Sequence, residues 1–491
     1  MLSNDNTKKI HLHWRRTKII ATLGPATKSD KKISELIDEG ANIFRLNMSH
    51  GTHDEHRQLA EKIRRISKRK KSHVGILMDL CGPKIRVGEF EDGEIEIKSG
   101  EEVIVSCSAA VGKQGLIPSQ YKSLYKDVKK DERILLDDGK LELIVITVKD
   151  KEVKCKVKYG GILKNKKGLN LPDSNISTNS FTAKDKRDSE LAIELEADFL
   201  ALSFVRDEKC INTLKRFVTK AGGNIPVIAK IEKPEAIKCI ESILSAADGI
   251  MVARGDLGIE MPAQQVPLIQ KELINKARLH GKPVIVATQM LESMIVSSKP
   301  TRAEVGDVAT AALSSADAVM LSAETASGEF PVLAVNMMDE ILREMEAYQW
   351  EHGKFGESDF EQIAEMIEPD RKAIARAVKS LAHELKLQGI VVPTRSGATA
   401  RVLSADRPSS PLIGVSSNEV VCRRLSLSWG VVPIYIKEEI THDWQGLCDT
   451  VAKMCELAST GNRVLLVSGF SDDTELNEPV LKLMKIKMHN S

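Results

Sequence analysis

Across 491 residues, no apolar run reaches the roughly 18 residues that a transmembrane helix needs. The first stretch, MLSNDNTKKIHLHWRR, is polar and lacks the apolar centre of a signal peptide. Cysteine is sparse: eight thiols stand singly, with no C-x-x-C pair for zinc or redox chemistry. In a chain of this size that pattern suits reduced thiols, and the expected location is cytoplasmic. Net charge is almost absent as well, with 71 Lys and Arg against 69 Asp and Glu, so neither a nucleic-acid nor a membrane partner is implied. The lysine-rich runs at 68–71 and 164–167 read as solvated faces. What is present, 42% hydrophobic and 29% charged residues, is the balance of a soluble globular protein too long for one core.

Between residues 17 and 325 one theme repeats. Short runs rich in Val, Ile, Leu and Ala stand at 17–24, 41–47, 73–80, 199–204, 226–232, 249–256, 283–290 and 318–325, most followed by helix-like stretches. Continuous apolar runs mark strands buried on both faces of a parallel sheet. Eight of them predict an α/β fold built on a (β/α)8 TIM barrel, with an open doubly wound sheet as the alternative. Runs two to eight carry polar residues at or just past their C-terminal ends: Arg45 and Asn47, Asp79, Ser203, Lys230 and Glu232, Asp256, Thr288 and Gln289, Ser322 and Glu324. In a barrel those ends converge on one rim, where the active site is built. Lys230 and Glu232 are two apart, so a strand projects both to one side. A structural ion pair is the competing explanation for them.

The theme breaks at 88–170, where alternating short strands such as ILLDDGKLELIVI (134–146) and EVKCKVKYG (152–160) predict an inserted all-β domain. It leaves the chain after strand three, at the active-site end, and is placed to close as a lid. The stretch at 348–362 reads as a connection, followed by a helix over 370–386 and strands near 389–393, 411–416, 431–436 and 463–469. The expected organisation is a barrel over 1–87 and 171–345, a β lid over 88–170, and a C-terminal α/β domain over 346–491. Thr301 to Glu304 reads as a capping box opening a helix.

The ordered set RLNMSHG (45–51), GPKIR (82–86), KIE (230–232), MVARGDLGIE (251–260), ATQMLES (287–293) and LSAET (321–325) closely resembles the pyruvate kinase family over nearly the whole chain. The resemblance implies phosphoryl transfer from phosphoenolpyruvate to ADP, giving ATP and pyruvate, with Mg2+ and in a homotetramer. It implies Glu232 and Asp256 as metal ligands, in keeping with a Mg2+ that takes few protein carboxylates and leaves room for substrate. Lys230 meets the charge of the transferring group, and Arg45 grips it. Asn47, His50 and Arg86 face the nucleotide phosphates. Arg254, Gly255 and Asp256 seat the substrate carboxylate, and Thr288 stands near the carbon that gains a proton. A hydroxyl is too weak an acid to act alone, so Ser322 and Glu324 are candidate relay partners.

The chain departs from the family pattern in several places. The K+ region by resemblance is Asn47, Ser49 and Asp79, but Leu80 stands where many members have a hydroxyl, and Lys84 where they have glutamate. An ammonium there replaces and repels a second cation, which predicts activity without K+. Asp207 stands where a nucleotide-side lysine is common. In the C-terminal region Thr394, Arg395, Ser396, Gly397 and Thr399 resemble the effector phosphate loop, while the tryptophan-containing half of a bisphosphate pocket is missing. A sugar monophosphate or AMP is the expected effector. A Mg2+-dependent lyase and a silent sugar-phosphate sensor are the rival functions, although neither employs Arg45, Lys230, Arg86 and the lid together.

Overall fold

The computed structural model describes residues 15–487 except 175, 178, 354, 356–368, 438–442, 456, 458–461 and 471–477. Eight strands close into a parallel barrel: β1 (Lys18–Thr22), β2 (Ala41–Asn47), β3 (Gly75–Asp79), β4 (Phe199–Leu202), β5 (Val227–Ile231), β6 (Gly249–Ala253), β7 (Val284–Ala287) and β8 (Ala318–Leu321). Each pairs with its sequence neighbour, and β8 returns to β1 with Lys18 opposite Ala318. This is the closed barrel expected from the eight apolar runs, and the open-sheet alternative is excluded. Inside it Ile20, Ile43, Leu77, Ile228, Met251 and Ile285 pack as one buried cluster, so the barrel is a filled core and its chemistry lies at the rim.

The surrounding helices start where the sequence supplies caps. Capping boxes open helices His53–Lys70 (Thr52 with Glu55), Ala183–Glu194 (Thr182 with Asp185) and Arg302–Leu313 (Thr301 with Glu304). Asp207, the departure from the family's lysine, caps helix Glu208–Lys220 by accepting the Lys209 and Cys210 amides. Its carboxylate therefore serves the helix start.

After β3 the chain enters a lid with a six-stranded sheet and a core of its own. Its central hairpin pairs Arg133–Leu136 with Leu141–Lys149, and Asp137, Asp138 and Gly139 take the left-handed backbone that such a turn needs. Pairing of the lid begins at Arg86, opposite Gly168. The C-terminal unit holds a sheet of β9 (Gly389–Pro393), β10 (Leu412–Ser416), β11 (Val431–Tyr435), β12 (Arg463–Ser468) and β13 (Val480–Lys485), in the order β11-β10-β9-β12-β13. Four strands are parallel as expected. The fifth, β13, is an antiparallel edge that sequence patterning did not single out, because four of its six side chains are exposed.

One expectation is corrected. Residues 348–351 are not a connection but the end of a helix, Pro331–Glu351, which crosses the expected boundary at 345/346. Buried Glu346 explains the extension, since its carboxylate accepts the backbone amides of Arg16 and Thr17 beneath the barrel. Most of 352–362 falls outside the described residues. Among the described residues no helix is long and apolar enough to cross a membrane.

Candidate active site

The rim gathers side chains from four consecutive barrel strands. Arg45, at the end of β2, donates through Nε and Nη2 to Asp79 of β3, each 2.7 Å from Oδ2. Lys230 of β5 reaches the other Asp79 oxygen at 3.3 Å, the Glu232 carboxylate at 2.9 Å and the Ser203 hydroxyl at 2.8 Å. Ser203 follows β4 and donates onward to the Leu80 carbonyl at 2.8 Å. The second Glu232 oxygen accepts the Phe204 amide at 2.8 Å. Arg45 also meets the Thr22 hydroxyl at 3.2 Å, which is anchored on the Leu321 carbonyl. A continuous chain of cation, carboxylate, cation and carboxylate thus crosses the rim from β2 to β5.

Burial makes this chain electrostatically active. Asp79 and Glu232 are 1% and 2% exposed. Burial works against the charged form of Lys230, but Asp79 and Glu232 overcome it and hold the ammonium above its ordinary range. Burial likewise opposes ionised Asp79, which Lys230 and then Arg45 pull below the usual carboxylate range. Glu232 goes the other way: burial, with repulsion from Asp256, outweighs the help of Lys230 and raises its carboxyl. Two carboxylates that repel each other at a buried rim are a donor pair a divalent cation relieves. Glu232 and Asp256 therefore suit a divalent cation that takes one or two protein oxygens and leaves the rest to water and substrate.

The β6–β7 edge is tied together by Arg254. The Arg254 guanidinium donates to the Thr288 carbonyl at 3.0 Å, to the Gln289 carbonyl and to Asp307. Those carbonyls belong to a strained turn, with Thr288 at φ 67° and Gln289 at φ 54°, which a β-branched threonine rarely adopts. Arg254 is the clamp that holds the turn. The Thr288 hydroxyl accepts the Gly255 amide at 2.7 Å and donates to the Ala287 carbonyl at 2.6 Å. A Cβ on Gly255 would stand 3.2 Å from that hydroxyl oxygen, tighter than ordinary contact.

Ser322 and Glu324, the candidate relay partners, stand together after β8. Buried Glu324 accepts the Ser322 and Leu291 amides, and among the described residues neither residue bonds to Thr288. Burial raises the Glu324 carboxyl, so it holds a proton more readily than an exposed glutamate. Beside Arg45, Asn47 accepts the Ser49 amide, and the His50 carbonyl meets His56 Nε2. Arg86 donates to the Lys166 carbonyl of the lid. Lys84 lines a cleft between lid and barrel together with Asp138, Asn170, Arg206, Lys233 and Asp256.

One group at this cleft escaped the sequence reading. Lys233 and Glu260 form a buried pair at 2.6 Å, and lid residue Asn170 donates to the same carboxylate at 2.9 Å. Both Lys233 and Glu260 lie in or beside motifs already singled out, but their pairing is long-range. Far away, the 394–399 loop turns inward: Thr394 accepts the Gly397 amide, and Thr399 donates to the Phe470 carbonyl. Gly397, at φ 87°, starts helix Ala398–Ala405.

A barrel whose C-terminal rim holds buried arginine and lysine against carboxylates, beneath a β lid, is that of an enzyme handling anionic substrates. The profile described as "Pyruvate kinase, barrel domain" matches residues 14–335, and "Pyruvate kinase, alpha/beta domain" matches 372–480. Pyruvate kinase 2 of Synechocystis sp. is 41% identical over 96% of this chain and 80% of its own length. The pyruvate kinase of Thermotoga maritima is 40% identical over 93% of the chain and 96% of its own. A crystal structure of a pyruvate kinase from Cryptosporidium parvum superposes with a TM-score of 0.89 at 33% identity, covering 98% of both chains. The chain belongs to the pyruvate kinase family, and it is a phosphotransferase.

Proposed function

We infer that the chain transfers the phosphoryl group of phosphoenolpyruvate to ADP and releases ATP and pyruvate, using Mg2+ and no K+. The observation that carries this reading is the buried Arg45–Asp79–Lys230–Glu232 array at the rim. Phosphoryl transfer needs charge placed in advance rather than covalent help, and a lysine fixed as a cation supplies it. Arg45 and Lys230 face the moving phosphoryl group, with Glu232 and Asp256 as the Mg2+ ligands. When bound, Mg2+ neutralises charge on the phosphoryl oxygens. Asn47, His50 and Arg86 serve the nucleotide. The Gly255 amide and the start of helix Arg254–Glu260 serve the substrate carboxylate, with Thr288 set against them by its hydroxyl. Thr288 serves beside the product carbon, and the final proton passes through a water relay whose candidate partners are Ser322 and Glu324.

Independence from K+ rests on Asp79, Leu80 and Lys84. Asp79 already has both oxygens against protein cations, and buried Leu80 offers only a carbonyl that Ser203 occupies. Lys84, which lines the cleft between lid and barrel, supplies the positive charge that takes the ion's place. A sugar monophosphate or AMP acts at the Thr394–Thr399 loop, and the working form is a cytoplasmic homotetramer. A coupled assay tests the core of the reading. Pyruvate and ATP appear from phosphoenolpyruvate and ADP only with Mg2+, at equal rates in K+ and in tetramethylammonium buffer. A hundredfold rise on adding K+ sinks the cation reading, and full activity in Lys230→Met sinks the site.

A further inference from the structure

Lys233 directly follows the proposed metal ligand Glu232, and Pro234 after it opens a short helix. A residue before proline is held to extended backbone, and Lys233 has φ −123° and ψ 145°. From there its side chain crosses to helix Arg254–Glu260, where the ammonium meets Glu260 at 2.6 Å with both side chains buried. Glu260 stands four residues after Asp256, so the two carboxylates share one face of that helix. The pair therefore ties together the two segments that carry Glu232 and Asp256.

The lid joins the same carboxylate. Asn170, on the short strand Leu169–Asn170, donates to Glu260 Oε1 at 2.9 Å, the oxygen that Lys233 also uses. The lid hairpin lies against the same helix, since a Cβ on Gly139 would stand 3.6 Å from Ile259 Cγ2. Glu260 Oε2 is buried and has no hydrogen-bond partner among the described residues. A buried orphan oxygen costs stability, and a buried ion pair gains little over well-packed apolar side chains. Stability is therefore a weak reason for charge at this joint, and the placement of its neighbours is a stronger one. Lys233 and Glu260 hold each other without Asn170, so the lid engages a joint already made.

We propose that Lys233 and Glu260 are positioning residues that set the spacing of Glu232 and Asp256, with Asn170 as the point where the lid engages them. The proposal rests on the reading of Glu232 and Asp256 as Mg2+ ligands. Groups that orient metal ligands from behind act on metal affinity, and their loss typically weakens it about 10–100-fold.

The test is isothermal titration of the full chain with Mg2+ alone, beside amide hydrogen exchange at residues 168–171. Lys233→Met/Glu260→Gln removes both charges together and raises the Mg2+ dissociation constant about tenfold or more. Asn170→Ala leaves that constant within about twofold but speeds exchange at 168–171 about fivefold. A merely structural pair lowers the melting temperature in chelator and leaves Mg2+ affinity alone. A double variant that binds Mg2+ within about twofold of wild type, while Glu232→Gln does not bind it, overturns the proposal and leaves the metal site standing. Glu232→Gln with wild-type affinity overturns the metal site, and the proposal with it. Unchanged exchange in Asn170→Ala overturns the role given to the lid. If the double variant does not fold, Glu260→Asp, which keeps the charge and withdraws the oxygens, replaces it. Unchanged Mg2+ affinity in that variant is then the refuting result.

Discussion

Asp79→Asn tests whether the rim array is a real electrostatic unit. Asp79 is 1% exposed, carries Arg45 on one oxygen at 2.7 Å and Lys230 near the other at 3.3 Å. At an effective dielectric of about 20, those separations correspond to roughly 6 and 5 kcal/mol of attraction before desolvation is subtracted. Much of that is spent on burying the charges, and removing one member of a buried array typically costs about 3–5 kcal/mol net. Asparagine keeps the shape but turns an NH2 group toward one of two buried cations. For a cooperative unit of roughly 250 residues, losing about 2.1 cal/mol/K per residue, the cost lowers the melting temperature by about 6–10 °C. The second readout is activity against pH. Lys230 has its folded value raised, so its contribution is complete below the unfolded value near 10.4 and is lost only as pH rises through the folded value. Asp79 is the largest source of that rise, so in the variant burial dominates and an alkaline limb of kcat moves down into the range that wild type tolerates. A melting temperature within about 1 °C of wild type, together with an unmoved alkaline limb, refutes the electrostatic account.

Two further outcomes follow from other groups. Glu232 has a raised carboxyl, so without metal its ionised form costs stability at neutral pH, a cost that disappears as pH falls through the folded value. Glu232→Gln in chelator is therefore as stable as wild type or more so, while its Mg2+-induced rise in melting temperature disappears; a retained Mg2+ shift in calorimetry removes Glu232 from the metal site. Lys18, buried beneath the barrel and donating to the Val431 carbonyl, is pushed down to about 7, first by burial and then by Arg15. Its folded value lies below the unfolded one, so the chain gains stability between about pH 7 and pH 10.4, and Lys18→Met flattens that rise in a pH series of melts. A series with the wild-type slope counts against it.

The parts legible in the sequence were those written locally. Eight apolar runs, a capping box at Thr301, and an Asp-Gly hairpin each state their structure within a few residues. The two-residue spacing of Lys230 and Glu232 predicted a shared side, and the ion pair first weighed as a rival explanation exists at that same rim, 2.9 Å long. The two explanations were not alternatives. A rim cation held charged by its neighbours is both the stable arrangement and the reactive one. What escaped depends on partners far along the chain. Arg254 belongs to a motif that suggests an anion seat, yet its guanidinium goes to carbonyls 34 and 35 residues later. Those carbonyls point inward only because Thr288 and Gln289 sit at positive φ, which no propensity of either residue announces. The strain and the clamp explain each other: without Arg254 the turn relaxes toward ordinary backbone, and without the turn Arg254 is a buried charge facing Asp307 alone. Arg254 thus holds the turn from which the Thr288 hydroxyl accepts the Gly255 amide, a link between motifs that local sequence does not announce.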